Sequence, residues 1–395
     1  MCTVPSRIRR HQGGGSPFPC GVWYHARMST RMTPRERVLA ALRHAQPDRV
    51  PFAWGFGATP DMAAILAREL SARGIDWAAL RCAVDDIARL PSPPPLAPPP
   101  DGRDMWGIAW APMRYQGGAY TEVARHPLAG VTTVEALRAY PWPDPAAFDY
   151  DGLAARPAER APRRARATLI AGGNPFEIYC WMTGLEEAII NLLDAPEVVT
   201  CALERITGVF ETMLTRTLAV IGDQVDMIFF ADDLGSQTGP LISRALYREL
   251  LMPFHRRLTT RAAELAPHAA RMLHSDGAVF DLLPDIIDAG FTVFEAVQTD
   301  AAGMDPARLK AVYGSALAFH GGISVQQLLP HAAADAVYAE SRRLVETFGA
   351  GGGYIAAPSH AIQVGTPVDN VLAMLRGVLG EDDFAAACAA ARTAH

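Results

Sequence analysis

From residue 168 onward, short apolar segments alternate with longer amphipathic ones, and this alternation constrains the fold more than any other feature of the sequence. The apolar segments are candidate strands, at 168–172, 226–230, 270–274, 291–295, 316–320 and 353–357. The segments between them have helical periodicity, near 185–194, 197–221, 243–265, 279–289, 333–348 and 368–379. Strands that are apolar along nearly their whole length and are separated by helices indicate a parallel sheet covered on both faces.

Two further units lie upstream, the first with a strand at 48–54. Eight units predict an α/β fold in which the sheet closes into a (β/α)8 TIM barrel. An open, doubly wound sheet is the alternative, but no GxGxxG motif follows any predicted strand, which disfavours its dinucleotide-binding form.

The N-terminal residues differ from the rest of the chain. Residues 1–31 contain several arginines and no acidic residue, and they lack apolar periodicity. We expect an extension outside the fold, with translation beginning at Met28 or Met32; a transit peptide is the alternative. Residues 32–395 are then predicted to form a single barrel domain. Alternating residues that continue to Val123, with a turn at Gly117-Gly118, predict a small β-hairpin insertion.

The charge and composition exclude several classes of partner. The net charge is −6 and the isoelectric point is near 6.0, so no broad basic surface indicates nucleic-acid binding. No apolar run reaches the roughly 18 residues that a membrane-spanning helix needs. The six cysteines are scattered without a CxxC pair, as in a reduced cytoplasmic protein. We therefore expect a cytoplasmic protein that acts on a small molecule.

Polar residues follow the ends of five consecutive predicted strands. In barrels of parallel strands, the carboxyl ends of the strands line the active site. The residues at these positions are Asp232, Asp233 and Gln237; His274 and Asp276; Glu295 and Gln298; His320; and Ser359, His360 and Gln363. Their convergence predicts an active site at this end of the barrel.

His274 and Asp276 place an imidazole and a carboxylate two residues apart at a strand end, so both can face one metal ion. Together with His360, and with Glu295 as a further candidate, they form a nitrogen and oxygen ligand set that zinc accepts. A metal with an open position binds a substrate group and lowers its pKa. Alternatively, the two histidines hydrogen-bond to loops and hold no metal, because the HxD pair alone is a weak motif.

Asp232 and Asp233 are candidates for orienting a substrate, for proton transfer or for capping a turn. Neighbouring residues of an extended segment point to opposite sides, so only one of the two should enter the barrel mouth. The candidate catalytic residues are Asp232, Asp233, Gln237 and Glu295. The candidate substrate-binding residues are Trp54, Gln298, His320, Ser359 and Gln363.

Several motifs, in order along the chain, resemble the uroporphyrinogen decarboxylase superfamily. They are MTPRERVLAALRHAQPDRVPF, DMWGIAW, YPWPDP, ADDLGSQTGPLIS, HSDG, HGGIS and GGGYIAAPSHAIQVGTPVDNVLAM, and they extend from Met32 to about Leu379. The resemblance implies a (β/α)8 barrel with its site at the carboxyl-end mouth. True uroporphyrinogen decarboxylases carry an arginine-rich motif after the first strand, whereas here no arginine lies between Val50 and Arg68.

The chain is more similar to the branch of cobamide-dependent methyltransferases. These enzymes move a methyl group between a corrinoid protein and a thiol, and bind zinc through an HxC pair and a later cysteine. In this sequence His274 matches the motif's histidine, whereas Asp276 and His360 match only by position. The resemblance implies a metal-dependent methyltransferase-like enzyme with Zn²⁺ and with a corrinoid supplied by a partner protein. The oligomeric state is left open, a homodimer being one option.

Two other functions remain open. The first is a uroporphyrinogen decarboxylase-type carboxy-lyase that needs no metal, in which Asp232 or Asp233 stabilises positive charge developing on the substrate. The second is a non-catalytic barrel that binds a corrinoid or tetrapyrrole.

Overall fold

Seven parallel strands form one curved sheet in the order in which they occur along the chain, and two further strands form a separate antiparallel pair. The computed structural model describes residues 31–97, 102–115, 118–154 and 165–392. The strands are β1 Ile87–Arg89, β2 Ala109–Tyr115, β3 Gly118–Arg125, β4 Ala167–Gly173, β5 Met227–Ala231, β6 Ala270–His274, β7 Val293–Val297, β8 Ala318–Ile323 and β9 Tyr354–Pro358.

Residues 51–53 close the barrel between its first and last strands. Ala53 donates a backbone hydrogen bond to Ala356 of β9, and Ala356 donates one to Pro51, each at 2.9 Å. On the other side, the Asp86 amide donates to the Phe52 carbonyl at 2.8 Å. This short segment lies within the predicted strand at 48–54 and takes the position of the eighth parallel strand of the barrel. The predicted (β/α)8 barrel is confirmed.

The helices lie between the strands and cover the outside of the barrel. They are α1 Pro34–Leu42, α2 Pro60–Ser71, α3 Trp77–Val84, α4 Val134–Ala139, α5 Asp151–Ala154, α6 Pro175–Thr183, α7 Leu185–Asp194, α8 Pro196–Ile221, α9 Arg244–Leu246, α10 Met252–Leu265, α11 Leu283–Asp288, α12 Pro306–Tyr313, α13 Leu328–His331, α14 Ala334–Gly349, α15 Val368–Leu379 and α16 Glu381–Ala390. Most predicted helices agree with these bounds to within a residue or two.

The helix predicted at 243–265 is interrupted. After α9, residues Tyr247–Leu251 form a π-helical turn, and α10 begins at Met252. Pro253 explains the interruption, because proline has no amide hydrogen and its ring clashes with the carbonyl four residues earlier. The wider turn relieves this clash without ending the helical direction.

Apolar side chains fill the inside of the barrel. Every second residue of a strand points inward, and the inward residues form a buried cluster that includes Ala53, Leu169, Met227, Phe229, Met272 and Ile355. The polar residues at the carboxyl ends of the strands therefore lie at one end of this apolar cluster.

The predicted hairpin is formed by β2 and β3, which pair antiparallel with Trp110 opposite Val123. Gly117 of the predicted turn at Gly117-Gly118 lies outside the described residues. The predicted N-terminal extension, 1–31, also lies outside them apart from Arg31, so the domain boundary stays a prediction. Among the described residues, no helix combines the length and apolar character needed to cross a bilayer.

Candidate active site

Strand ends bring the predicted polar residues to one end of the barrel. His274, the last residue of β6, pairs in register with Ala231 of β5 on one side and with Glu295 of β7 on the other. Asp233 follows β5 by two residues, and Asp276 follows β6 by two residues. Adjacent parallel strands thus place these side chains next to one another.

Asp233, His274 and Asp276 form a cluster with the spacing of metal ligands. One ligand atom from each residue lies within 4.8 Å of the other two. Nε2 of His274 is 3.6 Å from Oδ1 of Asp233 and 4.0 Å from Oδ1 of Asp276. On the far side of Asp276, its Oδ2 is 4.0 Å from Nε2 of His360. The structure thus brings together the three predicted ligands, with Asp233 beside them.

Glu295 fixes the orientation of the His274 ring. Oε2 of Glu295 lies 2.6 Å from Nδ1 of His274, and both side chains are buried. Because Nδ1 is occupied by this bond, Nε2 faces the two aspartates. A carboxylate behind a histidine is the usual outer partner of a metal-binding imidazole. The other Glu295 oxygen is 3.8 Å from Nδ1 of the buried His320.

The acids around His274 control its charge. Burial by itself would lower the pKa of His274, but Glu295, and then Asp233 and Asp276, raise it to about 10. Burial raises the pKa of Asp276, an effect that the charged imidazole of His274 opposes. The cluster of acids therefore favours a positive charge at its centre, carried here by the imidazolium.

The residues present fit a divalent cation. Oδ1 of Asp276 is buried and has no hydrogen-bond partner among the described residues, whereas buried polar atoms are normally paired. Imidazole nitrogen and carboxylate oxygen together suit zinc and other divalent ions. Asp233, His274 and Asp276 would hold the ion, with His360 next to Asp276.

A cavity of about 450 Å³ adjoins this cluster. Its polar wall contains Asn174, Glu177, Asp233, His274 and His360, and its apolar wall includes Phe56, Trp181, Phe210, Met213 and Leu214. Phe56 stacks on His360 with ring centroids 4.9 Å apart, and its edge meets the His274 ring at the same distance. The cavity thus offers an apolar chamber with acids and imidazoles at one side.

Glu177 is a site residue that the sequence prediction missed. It lies in the first turn of α6, where Nδ2 of Asn174 donates to its Oε2 at 2.8 Å. Burial, opposed by this hydrogen bond and reinforced by Asp233 and Asp232, raises the pKa of Glu177 to about 7. Glu177 can therefore gain or lose a proton near neutral pH.

Asp232 does not enter this cavity, which corrects its predicted catalytic placement. Its Oδ2 lies 2.6 Å from Nε2 of His255, and its Oδ1 accepts the Glu177 amide at 2.7 Å. His255 is held in turn by the Tyr247 hydroxyl at 2.9 Å. Asp232 is fully buried, and it joins β5 to α6 and α10. Adjacent residues of the extended chain point in opposite directions, so only Asp233 faces the barrel mouth.

The other predicted residues are distributed between a second cavity and the surrounding loops. Trp54 and His320 line a neighbouring cavity of about 540 Å³. Gln298 is buried and accepts the Gly277 amide at 2.8 Å, so it supports the loop that carries Asp276. Ser359 is buried and accepts the Val325 amide.

Gln237 and Gln363 are exposed, and neither lines one of these two cavities. Gln237 donates a hydrogen bond to Gln326. Both glutamines lie beyond the strand ends, in loops. Their roles in catalysis and substrate binding stay predictions.

Comparison with known proteins identifies the family. The uroporphyrinogen decarboxylase (URO-D) family model matches residues 113–379. A curated relative, the methylated-thiol–coenzyme M methyltransferase of Methanosarcina mazei, is 27% identical over 202 residues, which are 51% of this chain and 50% of the relative. The match thus spans about half the length of that relative.

A solved structure shares the fold. A methyltransferase from Methanosarcina mazei superposes with a TM-score of 0.62 at 18% identity, over 88% of this chain and 98% of the other. The family model confirms the predicted superfamily, and the solved structure agrees with the predicted fold. The chain belongs to the uroporphyrinogen decarboxylase (URO-D) family.

Proposed function

We propose that this protein is a metal-dependent methyltransferase that moves a methyl group between a corrinoid protein and a thiol or similar acceptor. The observation that carries the proposal is the ligand-spaced cluster of Asp233, His274 and Asp276, with Glu295 behind the imidazole. The name of the curated relative, a methylated-thiol–coenzyme M methyltransferase, supports the reaction class.

Asp233, His274 and Asp276 would hold the ion, which we propose to be Zn²⁺. When bound, a divalent zinc ion lowers the pKa of a thiol and so makes its sulfur nucleophilic at neutral pH. Glu295 keeps Nε2 of His274 directed at the cluster. This preorganisation fixes the ligand geometry before a substrate arrives.

Glu177 is the residue we assign to proton transfer in the cavity. Its pKa of about 7 suits a group that takes the proton from a thiol as the sulfur is methylated and then releases that proton to solvent. The aromatic and aliphatic side chains of Phe56, Phe210 and Leu214 line the same cavity. They limit the water around the reacting sulfur, which strengthens the electrostatic interactions inside.

Elemental analysis and a transfer assay test this function together. We expect the purified full chain to hold about one zinc ion and to transfer a methyl group from methylcobalamin to a thiol, followed by the change in cobalamin absorbance. His274→Ala and Asp233→Asn should lose both metal and activity. His331→Ala, which removes an exposed histidine of α13, is the matched control. An active preparation without metal, or unchanged activity in His274→Ala, would refute the mechanism.

A carboxy-lyase is the second candidate, and one observation favours it. Arg81, Arg89 and Arg166 line the neighbouring cavity of about 540 Å³. Arginine is well suited to binding carboxylates. Release of CO2 from uroporphyrinogen by metal-free protein would support this function over methyl transfer. Tight binding of cobalamin with neither reaction would support a non-catalytic barrel.

A further inference from the structure

The cavity of about 540 Å³ that contains Trp54 and His320 is distinct from the one beside Asp233 and Asp276. We call it the arginine cavity. It extends from the barrel interior, at Leu169, Phe229 and Met272, to helix α3, which contributes Trp77, Arg81 and Cys82. Its volume is in the range of sites for small molecules.

Three guanidinium groups from three separate elements line this cavity. Arg81 belongs to α3, Arg89 ends β1, and Arg166 immediately precedes β4. Among the described residues, no carboxylate lies within salt-bridge distance of Arg81 or Arg166. Arg89 lies over the Phe229 ring, 4.7 Å from its centroid, and burial lowers its pKa. Arg81 is exposed and Arg166 is half-buried, so both guanidinium groups can reach an anion that enters the cavity from solvent.

Two acids line the same cavity, and neither neutralises the arginines fully. Glu295 is already bonded to His274 at 2.6 Å. Asp85 accepts the Ile87 amide at 3.3 Å, and burial raises the pKa of its carboxyl to about 7. At neutral pH Asp85 is therefore only partly ionised. The cavity keeps an excess of positive charge.

The rest of the wall is apolar and aromatic. Trp54 and Trp77 meet edge to face with centroids 5.1 Å apart, and Phe56 and Phe229 lie at the boundary with the neighbouring cavity, which they also line. Rings at these positions suit the flat or apolar body of a ligand. The guanidinium groups suit its oxyanion, because their forked donors match carboxylate and phosphate oxygens.

We infer that the arginine cavity is a binding site for a small organic oxyanion, a carboxylate or phosphate attached to an apolar body, with Arg81 and Arg166 holding the charged end. Arg89, Phe56 and Phe229 line both cavities. A ligand anchored in this way is therefore directed toward the cluster of Asp233, His274 and Asp276. The inference does not depend on a bound metal or on methyl transfer.

Binding of benzoate and benzamide to the chelator-treated full chain tests this site. The two probes have nearly the same shape, but only benzoate is charged. We expect benzoate to bind, measured by calorimetry and by quenching of tryptophan fluorescence, and benzamide to bind at least about ten-fold more weakly. Inorganic phosphate should compete with benzoate if the site accepts phosphate, whereas no competition identifies a site selective for carboxylates.

Arg81→Gln and Arg166→Gln should each raise the Kd for benzoate by about ten-fold. Arg166→Lys should recover part of the affinity. The Trp54 indole donates to the backbone carbonyl of Arg81, so Arg81→Gln keeps that contact. Arg68→Gln, which changes an exposed arginine of α2, is the matched control. Circular dichroism checks that each variant folds.

Three outcomes would overturn the inference: benzamide binding as tightly as benzoate, unchanged affinity in both glutamine variants, or no binding of either anion. Because the protein is metal-free in this experiment, failure of the proposed methyl transfer does not affect the result. Conversely, a failure of benzoate to bind would count against the arginine cavity only, and would not bear on the proposed metal site.

Discussion

Nδ1 of His274 lies 2.6 Å from Oε2 of Glu295, while Nε2 of the same ring faces Asp233 and Asp276. Nδ1 of the imidazole thus contacts one acid, and Nε2 faces two further acids. The protein uses buried charge to orient a ring before any ligand arrives.

Glu295→Gln is expected to weaken metal binding by about 10- to 100-fold, because it removes the charge behind the imidazole and retains the side-chain shape. Competition with a chromophoric chelator measures the affinity for Zn²⁺. Circular dichroism controls for folding. An unchanged affinity would mean that the charge of Glu295 does not support metal binding.

Asp232 and Asp233 are expected to differ although they are neighbours. Asp232→Ala leaves His255 and the Glu177 amide without their buried partner, so it should lower the free energy of unfolding by about 2–5 kcal/mol. Asp233→Ala should change stability by less than about 1 kcal/mol and should abolish metal binding. Urea denaturation of the metal-free proteins measures the first effect. Equal stability losses in the two variants would contradict the assignment.

Glu177 should make stability depend on pH. Burial raises its pKa from 4.5 to about 7 in the folded state, so between these values the folded protein binds more protons than the unfolded chain. The contribution of this group to stability is therefore present below pH 4.5 and lost as the pH rises through about 7. Relative to the wild type, Glu177→Gln should gain roughly 1–3 kcal/mol of stability between pH 4.5 and pH 8.

Urea denaturation of metal-free wild type and Glu177→Gln across that pH range measures this difference. Groups other than Glu177 titrate alike in both proteins, so the difference isolates its effect. A difference that stays constant with pH would mean that Glu177 is ionised throughout.

Gly277→Ala should damage the site through the backbone. Gly277 has a φ of +84°, and a Cβ there would lie 2.6 Å from the carbonyl carbon of Gly235. The loop that carries Asp276 must shift, so we expect a loss of about 1–3 kcal/mol of stability together with weaker metal binding. Gly303→Ala is the matched control, since its φ is +75° but the nearest atom to a Cβ is a terminal nitrogen of Arg308 at 3.9 Å.

Gly303→Ala should show only the cost of the left-handed backbone, about 1–2 kcal/mol, with metal affinity unchanged. Thermal denaturation and the chelator competition measure both properties in both variants. If Gly277→Ala behaved like Gly303→Ala in both measurements, the packing of the Gly277 loop against the Gly235 loop would not be what positions Asp276.

The barrel could be predicted because its signal is local and repeated. Strands such as β5 are apolar along their length, and helices such as α15 have a regular apolar face, so each unit is recognisable within its own residues. β1 was missed because a strand of three residues carries no periodicity. The interruption of the helix at 243–265 follows from Pro253, whose local effect the periodicity alone did not reveal.

The site was predicted only in part. The rule that selects residues after strand ends found Asp233, His274 and Asp276, and the same rule applied to β4 would have found Asn174 and Glu177. Arg81 and Arg166 carry no such signal, because one lies on a helix and the other precedes a strand. Their meeting depends on contacts across the fold.

The sequence by itself determined the alternation of strands and helices, and with it the closed barrel and the end at which polar residues gather. The spacing of apolar residues and the direction of each strand are local properties of the sequence. The residues that follow each strand therefore indicate which end of the barrel carries the polar side chains. Only the tertiary structure decided that Asp233 faces the barrel mouth while Asp232 is buried against His255. That choice depends on the direction of each side chain and on the neighbours brought from distant elements, which no local pattern contains.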